Sequence, residues 1–200
     1  MTATAPPPDA LHQVIAFLME LDKLKQVERR TRLIGNSRRE NSAEHSWHLA
    51  MGALSLYPFA PQGVDIGRVV KMALLHDIVE IDVGDVLVYD LAGREAVEEQ
   101  EARAAERLFG LLPQPMAGEF LLLWQEYEAG ESLDARFAGA LDRILPVLQN
   151  LHNEGRSWLE NNIALEQVIR RNAHVADTLP ELWHYVEGQL QIAQQKGWLR

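Results

Sequence analysis

No cysteine occurs in the 200 residues. That excludes a disulfide scaffold and any zinc or iron–sulfur centre held by thiolates, and it is compatible with a reducing cytoplasm. Long apolar runs are also missing: none approaches the ~20 residues that a membrane span needs. The opening "MTATAPPPD" has no basic segment followed by an apolar one, so it does not have the form of a secretory signal; residues 1–8 are expected to be a disordered lead. A basic surplus is lacking, with 19 Lys and Arg against 29 Asp and Glu and a net charge of −10. This argues against a general nucleic-acid binder. There is no Gly-rich phosphate loop of the Walker A form. Convincing strand alternation, internal repeats and sustained heptads are absent as well.

What is present reads as helix. With 47% hydrophobic and 24% charged residues, the chain can fill one core of ordinary size, so one domain over residues 9–200 is expected. Leu11, Val14, Ile15, Leu18, Leu21 and Leu24 recur at helical spacing and predict a helix over 9–27. Residues 32–41, polar and with a Gly, read as a loop. Asn41, with Glu44 three residues on, forms a capping-box signature that starts a second helix; Pro58 and Pro61 end it near Tyr57. A mostly apolar helix is expected over about 65–80, and such a helix is usually central. Residues 80–93 read as an irregular connection rather than a strand at "VLVYDL". Further helices are expected at 94–112, 116–128 and 132–155, the last kinked at Pro146, and a further stretch near 161–177. Thr178 with Glu181 marks the capped start of the final helix and Gly197 its end. The predicted fold class is all-α, a globular bundle of about six to eight helices.

Chemistry concentrates in "LLHDIVEIDVGD", residues 74–85. An apolar run ends there in His76 and Asp77, an imidazole and a carboxylate, which together suit a borderline-to-hard divalent metal. A charged Asp on such a helix is costly without a cation or partner. Adjacent helical residues point about 100° apart, so both reach one ion only if it lies between their directions. Glu80, one turn on, is placed to work as a base on a water near that ion, and Asp85 could share the proton work or orient the water; Asp82 reads as exposed. Among the seven histidines, His12, His152, His174 and His184 have no ligand-like surroundings. His45 and His48 share a face at i, i+3 and could ligate together, or His45 alone could. Asp142 lies among Ala, Leu and Ile in "FAGALDRILPVL", either paired with an Arg or holding a cation. A last feature is a local cation excess: seven of the 19 Lys and Arg fall between Lys23 and Arg39. It is either a solvated helix end and loop or an anion site, for which the planar fork of Arg is well suited.

His45, His76-Asp77 and Asp142, in that order, together with "RRENSAEHSWHLAM", "VVKMALLHDIVEIDVGD" and "WQEYEAGESLDARFAGALDRILPVLQN", resemble the HD-domain metal-dependent phosphohydrolases. The likeness covers about residues 10–190 and points to the 5′-deoxynucleotidase branch. It implies removal of the 5′-phosphate from a small-molecule substrate, a deoxyribonucleoside monophosphate. It also implies one divalent ion (Co, Mn, Mg, Zn, Ni or Fe) held by His45, His76, Asp77 and Asp142, with Glu80 and Asp85 as the acid/base pair. The phosphate-binding Arg, fifteen residues before the first ligand His, falls on Arg30, with Arg29 and Arg32 as alternatives. Thr31 stands where the bacterial enzymes carry a Trp near the sugar, which bears on selectivity for deoxyribose. The same ligand set would also serve a phosphodiesterase, a nucleoside triphosphate hydrolase or a non-catalytic nucleotide-sensing module. A cytoplasmic homodimer with neither nucleic-acid nor membrane partners is expected.

Overall fold

The Asn41 side chain accepts the Glu44 backbone N–H at 2.9 Å, and Glu44 reaches back to the Asn41 N–H at 3.2 Å. This capping box satisfies two orphan donors at the start of a helix, α2 (Ser42–Leu56). The computed structural model describes residues 9–35, 37–85 and 91–200, and of residues 91–95 the backbone only. The expected lead at 1–8 and most of the "VLVYDL" connection lie outside the described residues. The other helices are α1 (Ala10–Leu21), α3 (Ile66–Leu75), α4 (Glu80–Val83), α5 (Leu91–Phe109), α6 (Met116–Ala129), α7 (Leu133–His152), α8 (Arg156–Glu160), α9 (Leu165–Asn172) and α10 (Pro180–Gln195). The all-α expectation holds, though with more and shorter pieces than six to eight helices. No helix among the described residues is long and apolar enough to cross a membrane.

The centre is a trio, with α2, α3 and α7 packed on one another. Leu49 and Ala53 of α2, Val69, Met72 and Ala73 of α3, and Phe137, Ala138 and Leu141 of α7 are buried there. The three alanines let the helices approach closely, and Phe137, Leu141 and Met72 fill what remains. Burying each large apolar side chain stabilises the fold by roughly 1.5–3 kcal/mol. Pro146 sits inside the continuous α7. Gly155, at φ +68, turns the chain out of it towards α8; a Cβ there would lie 2.5 Å from the Trp198 Cβ, so both backbone and space demand Gly.

Three expectations are corrected. The helix predicted over 9–27 stops at Leu21, and residues 22–26 form a 3₁₀ turn. The loop predicted over 32–41 instead supplies the second strand of an antiparallel hairpin, β1 (Glu28–Arg32) with β2 (Arg39–Asn41), pairing Glu28 with Asn41 and Arg32 with Arg39. Its strands are almost wholly polar, so hydrophobic alternation carries no sign of them. They are held by their ladder and by Asn153 at the end of α7. The Asn153 Oδ1 accepts from the Gly35 N–H at 2.9 Å, and its Nδ2 donates to the carbonyls of Arg32 and Leu33 at 3.2 and 3.0 Å. Finally, α10 is not capped by Thr178: Leu179 is the capping position, with no side-chain bond, and Pro180 opens the helix. Proline suits that place because its φ is preset and it has no N–H to satisfy. The other end follows expectation. Gly197 is left-handed at φ +75, and the N–H groups of Gly197 and Trp198 return to the carbonyls of Gln194 and Ala193, both at 2.9 Å, closing a Schellman motif.

Candidate metal centre

With its first turn held by the capping box and its next turns buried against α3 and α7, α2 carries His45 into the interior with no exposed surface. His48 does not join it; that ring stacks on exposed Trp47, centroids 6.4 Å apart. The predicted third helix breaks where the chemistry begins: α3 ends at Leu75 and His76–Val79 form a 3₁₀ turn. His76 is fixed on several sides. Its Nδ1 bonds the Ala73 carbonyl at 3.0 Å, its own carbonyl accepts from the Trp124 indole at 3.2 Å, and the Tyr127 ring packs against its imidazole at 5.0 Å. From the opposite side α7 supplies Asp142, whose Oδ1 lies 2.8 Å from His45 Nε2 and 3.9 Å from His76 Nε2. One donor atom each from His45, His76 and Asp142 lie within 4.8 Å of one another. Asp77 borders the same centre. Its Oδ1 is 3.1 Å from His76 Nε2, while Oδ2 is 3.9 Å from His45 Nε2 and accepts from Arg29 Nη1 at 2.6 Å.

These residues fit a cation. A carbonyl only accepts, so His76 Nδ1 carries a hydrogen, and the neutral ring presents a lone pair at Nε2. That Nε2 is buried and has no hydrogen-bond partner among the described residues, yet it faces a carboxylate oxygen at 3.1 Å. Lone pair against carboxylate is repulsive unless a cation or a proton lies at the centre. Two imidazoles and two carboxylates are a donor set for a borderline-to-hard divalent metal, and the His76 Nδ1 bond to a carbonyl is the usual way of orienting a ligand ring.

Protons take the cation's part otherwise. Burial disfavours charge on His45, but its bond to Asp142 and the nearby Glu40 carboxylate outweigh burial and lift its pKa to about 9. Burial likewise opposes charge on His76, and Asp77 raises it nonetheless. Asp77 and Asp142 are held below the usual carboxylate range, against burial, by the histidines and Arg29. Glu80 goes the other way: burial and the charge of Asp77 push it to about 8, although the Ser42 hydroxyl and Arg29 pull it down.

The hairpin lays Arg29 beside this cluster. Its side chain is only 14% exposed, and its Nη1 touches Asp77 and lies 3.7 Å from Glu80 Oε1. Burial opposes its charge, but Asp77, Asp142, Glu80 and Asp85 keep it protonated. Arg30 is the exposed neighbour; its backbone N–H, not its side chain, meets the site region by donating to Asp85 Oδ2 at 3.3 Å. Asp82 points elsewhere and accepts from Arg107 Nε at 2.6 Å. Two residues went unnoticed in the sequence. Ser42 donates to Glu80 Oε2, and Glu40, 1% exposed, lies behind His45. The only sequence signal for Glu40 was an acidic residue immediately before a cap, which is commonplace.

Comparison with known proteins identifies the family. The HD domain family model matches residues 21–183. The 5′-deoxynucleotidase HDDC2 of Bos taurus is 32% identical over 137 residues, 68% of this chain and 65% of the relative; that of Homo sapiens is 31% identical, over 68% and 66%. The matched segment thus spans just under two thirds of those relatives' length. A crystal structure described as a predicted metal-dependent phosphohydrolase, from Magnetospirillum magnetotacticum MS-1, is 44% identical, covers 96% of this chain and 98% of that one, and superposes with a TM-score of 0.89. With a family match over most of its length and a buried histidine–aspartate cluster at the junction of its central helices, this chain belongs to the HD-domain family.

Proposed function

We propose that the protein is a divalent-metal-dependent phosphomonoester hydrolase that removes the 5′-phosphate of deoxyribonucleoside monophosphates. The observation that carries this reading is the meeting of His45, His76 and Asp142 within 4.8 Å, with Asp77, one guanidinium and one carboxyl of raised pKa beside them. An ion held by His45, His76, Asp77 and Asp142 would supply a Lewis acid that polarises a phosphoryl oxygen and acidifies water. Arg29, one residue earlier than the resemblance implied, binds the phosphate with its planar fork and offsets the charge that builds in the transition state. Glu80 handles the proton. Its pKa of about 8 suits transfer near neutral pH, and the Ser42 hydroxyl on Oε2 leaves Oε1 for the proton in transit. Asp85, anchored by the Arg30 N–H, orients the attacking water or shares its proton. The products are a nucleoside and inorganic phosphate, and the name of the curated relatives supports the nucleoside monophosphate as substrate.

Cytoplasmic placement and a homodimer complete the reading. Leu11, Ile15 and Leu18 form an exposed apolar stripe along α1, of the kind a second copy would cover; light scattering would then give twice 22.6 kDa. The activity is tested by a phosphate-release screen over deoxy- and ribonucleoside monophosphates, cyclic nucleotides and triphosphates, each with Mg²⁺, Mn²⁺, Co²⁺ and Zn²⁺. Release from deoxynucleoside monophosphates alone is expected. Release from none, with any ion, would sink the proposal.

A further inference from the structure

Three buried polar side-chain atoms near the metal centre have no hydrogen-bond partner among the described residues and face one another: Arg29 Nε, Glu40 Oε2 and His45 Nδ1. Glu40 Oε2 is 3.6 Å from His45 Nδ1 and 3.9 Å from Arg29 Nε, slightly beyond hydrogen-bond length. The other oxygen of the same carboxylate is tied down, since Gln149 Nε2 donates to Oε1 at 2.9 Å. Gln149 lies seven residues, two helical turns, beyond Asp142 on α7, so the helix that supplies one candidate ligand also anchors the carboxylate behind another. An isolated buried carboxylate oxygen is costly. Here it has two donors to serve, one on the candidate phosphate-binding residue and one on a candidate metal ligand.

We propose that Glu40 is a positioning residue that sets the tautomer of His45 and the placement of Arg29 together. A hydrogen on His45 Nδ1 directed at Glu40 leaves Nε2, the nitrogen that faces Asp142, His76 and Asp77, as the free lone pair required of a ligand. Carboxylates behind ligating histidines act in this way, and their loss typically weakens metal binding by ~10–100-fold. The same carboxylate draws Arg29 Nε, which fixes the direction of the guanidinium fork. Metal ligand and phosphate ligand therefore share one anchor, placed by the hairpin and held by α7. Glu40 touches neither substrate nor ion; it acts through the two side chains it faces. This inference rests on the metal-hydrolase reading, but its test does not depend on turnover.

Glu40→Gln keeps the shape and removes the charge. Titration calorimetry with Mn²⁺ should show affinity weaker by ~10-fold or more. Nitrogen-15 spectra of the Zn²⁺-loaded protein should show His45 protonated at Nδ1 in the wild type and a mixed or reversed tautomer in the variant. If Glu40→Gln does not fold, Gln149→Leu keeps Glu40 and releases its anchor, and should weaken Mn²⁺ binding in the same direction by a smaller factor. A folded Glu40→Gln, or failing that a folded Gln149→Leu, with Mn²⁺ affinity within about twofold of wild type and an unchanged His45 tautomer overturns the proposal; so does a wild type that binds no Mn²⁺. A loss of thermal stability alone, with affinity and tautomer unchanged, assigns Glu40 a purely structural role and also overturns it. A wild type that binds Mn²⁺ but releases no phosphate overturns the hydrolase reading and leaves the Glu40 comparison fully readable.

Discussion

At the scale of single residues the decisive contrast is between neighbours. Arg29 and Arg30 have the same chemistry and adjacent places on one strand, yet Arg29 is drawn in against Asp77 and Glu80 while Arg30 faces solvent. Arg29→Ala should therefore lower kcat/KM by ~100-fold or more, whereas Arg30→Ala, which keeps the backbone N–H that Asp85 accepts, should stay near wild type. Steady-state kinetics of the two variants side by side checks this; equal losses would remove Arg29 from its assigned place. Glu80 differs from the two candidate carboxylate ligands, Asp77 and Asp142, in being raised rather than lowered in pKa. Glu80→Gln should lose ~10²–10⁴ in turnover while calorimetry shows Mn²⁺ still bound. Loss of Mn²⁺ binding in that variant would make Glu80 a ligand instead of a base.

At the scale of elements, a small polar hairpin does work that a helix would not. A strand presents successive residues to opposite sides, so five residues can put one Arg inside and the next outside. The hairpin has little apolar surface of its own and depends on what ties it to the bundle, the three hydrogen bonds of Asn153 among them. Asn153→Ala should cost about 1–3 kcal/mol, since it leaves part-buried backbone groups unpaired, and should also raise KM because Arg29 is carried on the loosened strand. Urea unfolding and kinetics together test this; a stability loss with unchanged KM would show that the hairpin holds Arg29 without help from Asn153. Asn41→Ala, which removes the cap from the helix bearing His45, should cost about 1 kcal/mol.

At the scale of the whole molecule, the centre joins α2, the turn that follows α3, and α7, so its protonation is linked to global stability. His45 has a folded pKa of about 9 against an ordinary 6.5. Its contribution is complete below 6.5 and is lost as pH rises through 9. Glu80, raised from 4.5 to about 8, holds in the fold a proton the unfolded chain has released, so it too costs stability as pH rises towards 8. Asp77 and Asp142, being depressed, act oppositely and cost stability only in acid. The metal-free protein, kept in chelator, should show a falling Tm between about pH 6 and pH 9. A divalent ion competes for the same sites, so the Tm gained on adding Mn²⁺ should grow over that range. A metal-free Tm that climbs with pH would contradict these assignments.

The helical class, the capping box at Asn41, the stop at Gly197 and the short list of residues from which a metal site could be drawn are legible along the chain. All of these are local: 3.6-residue periodicity, caps, and an imidazole and carboxylate at the end of an apolar run are legible without knowing what packs where. Tertiary packing decided that residues 28–41 are a hairpin, that Arg29 and not Arg30 is inside, and that Glu40, held by Gln149, stands behind His45. Which of two adjacent arginines faces inward depends on strand register, and that register is set by pairing with residues 39–41 and by Asn153 over a hundred residues away. A lone Glu and a lone Gln have no local signature; only their burial and the hydrogen bond between them make them a pair. Even α10 follows this rule, because Thr178 and Glu181 have the composition of a cap while the chain, entering through Leu179 and Pro180, never puts Thr178 in the capping position.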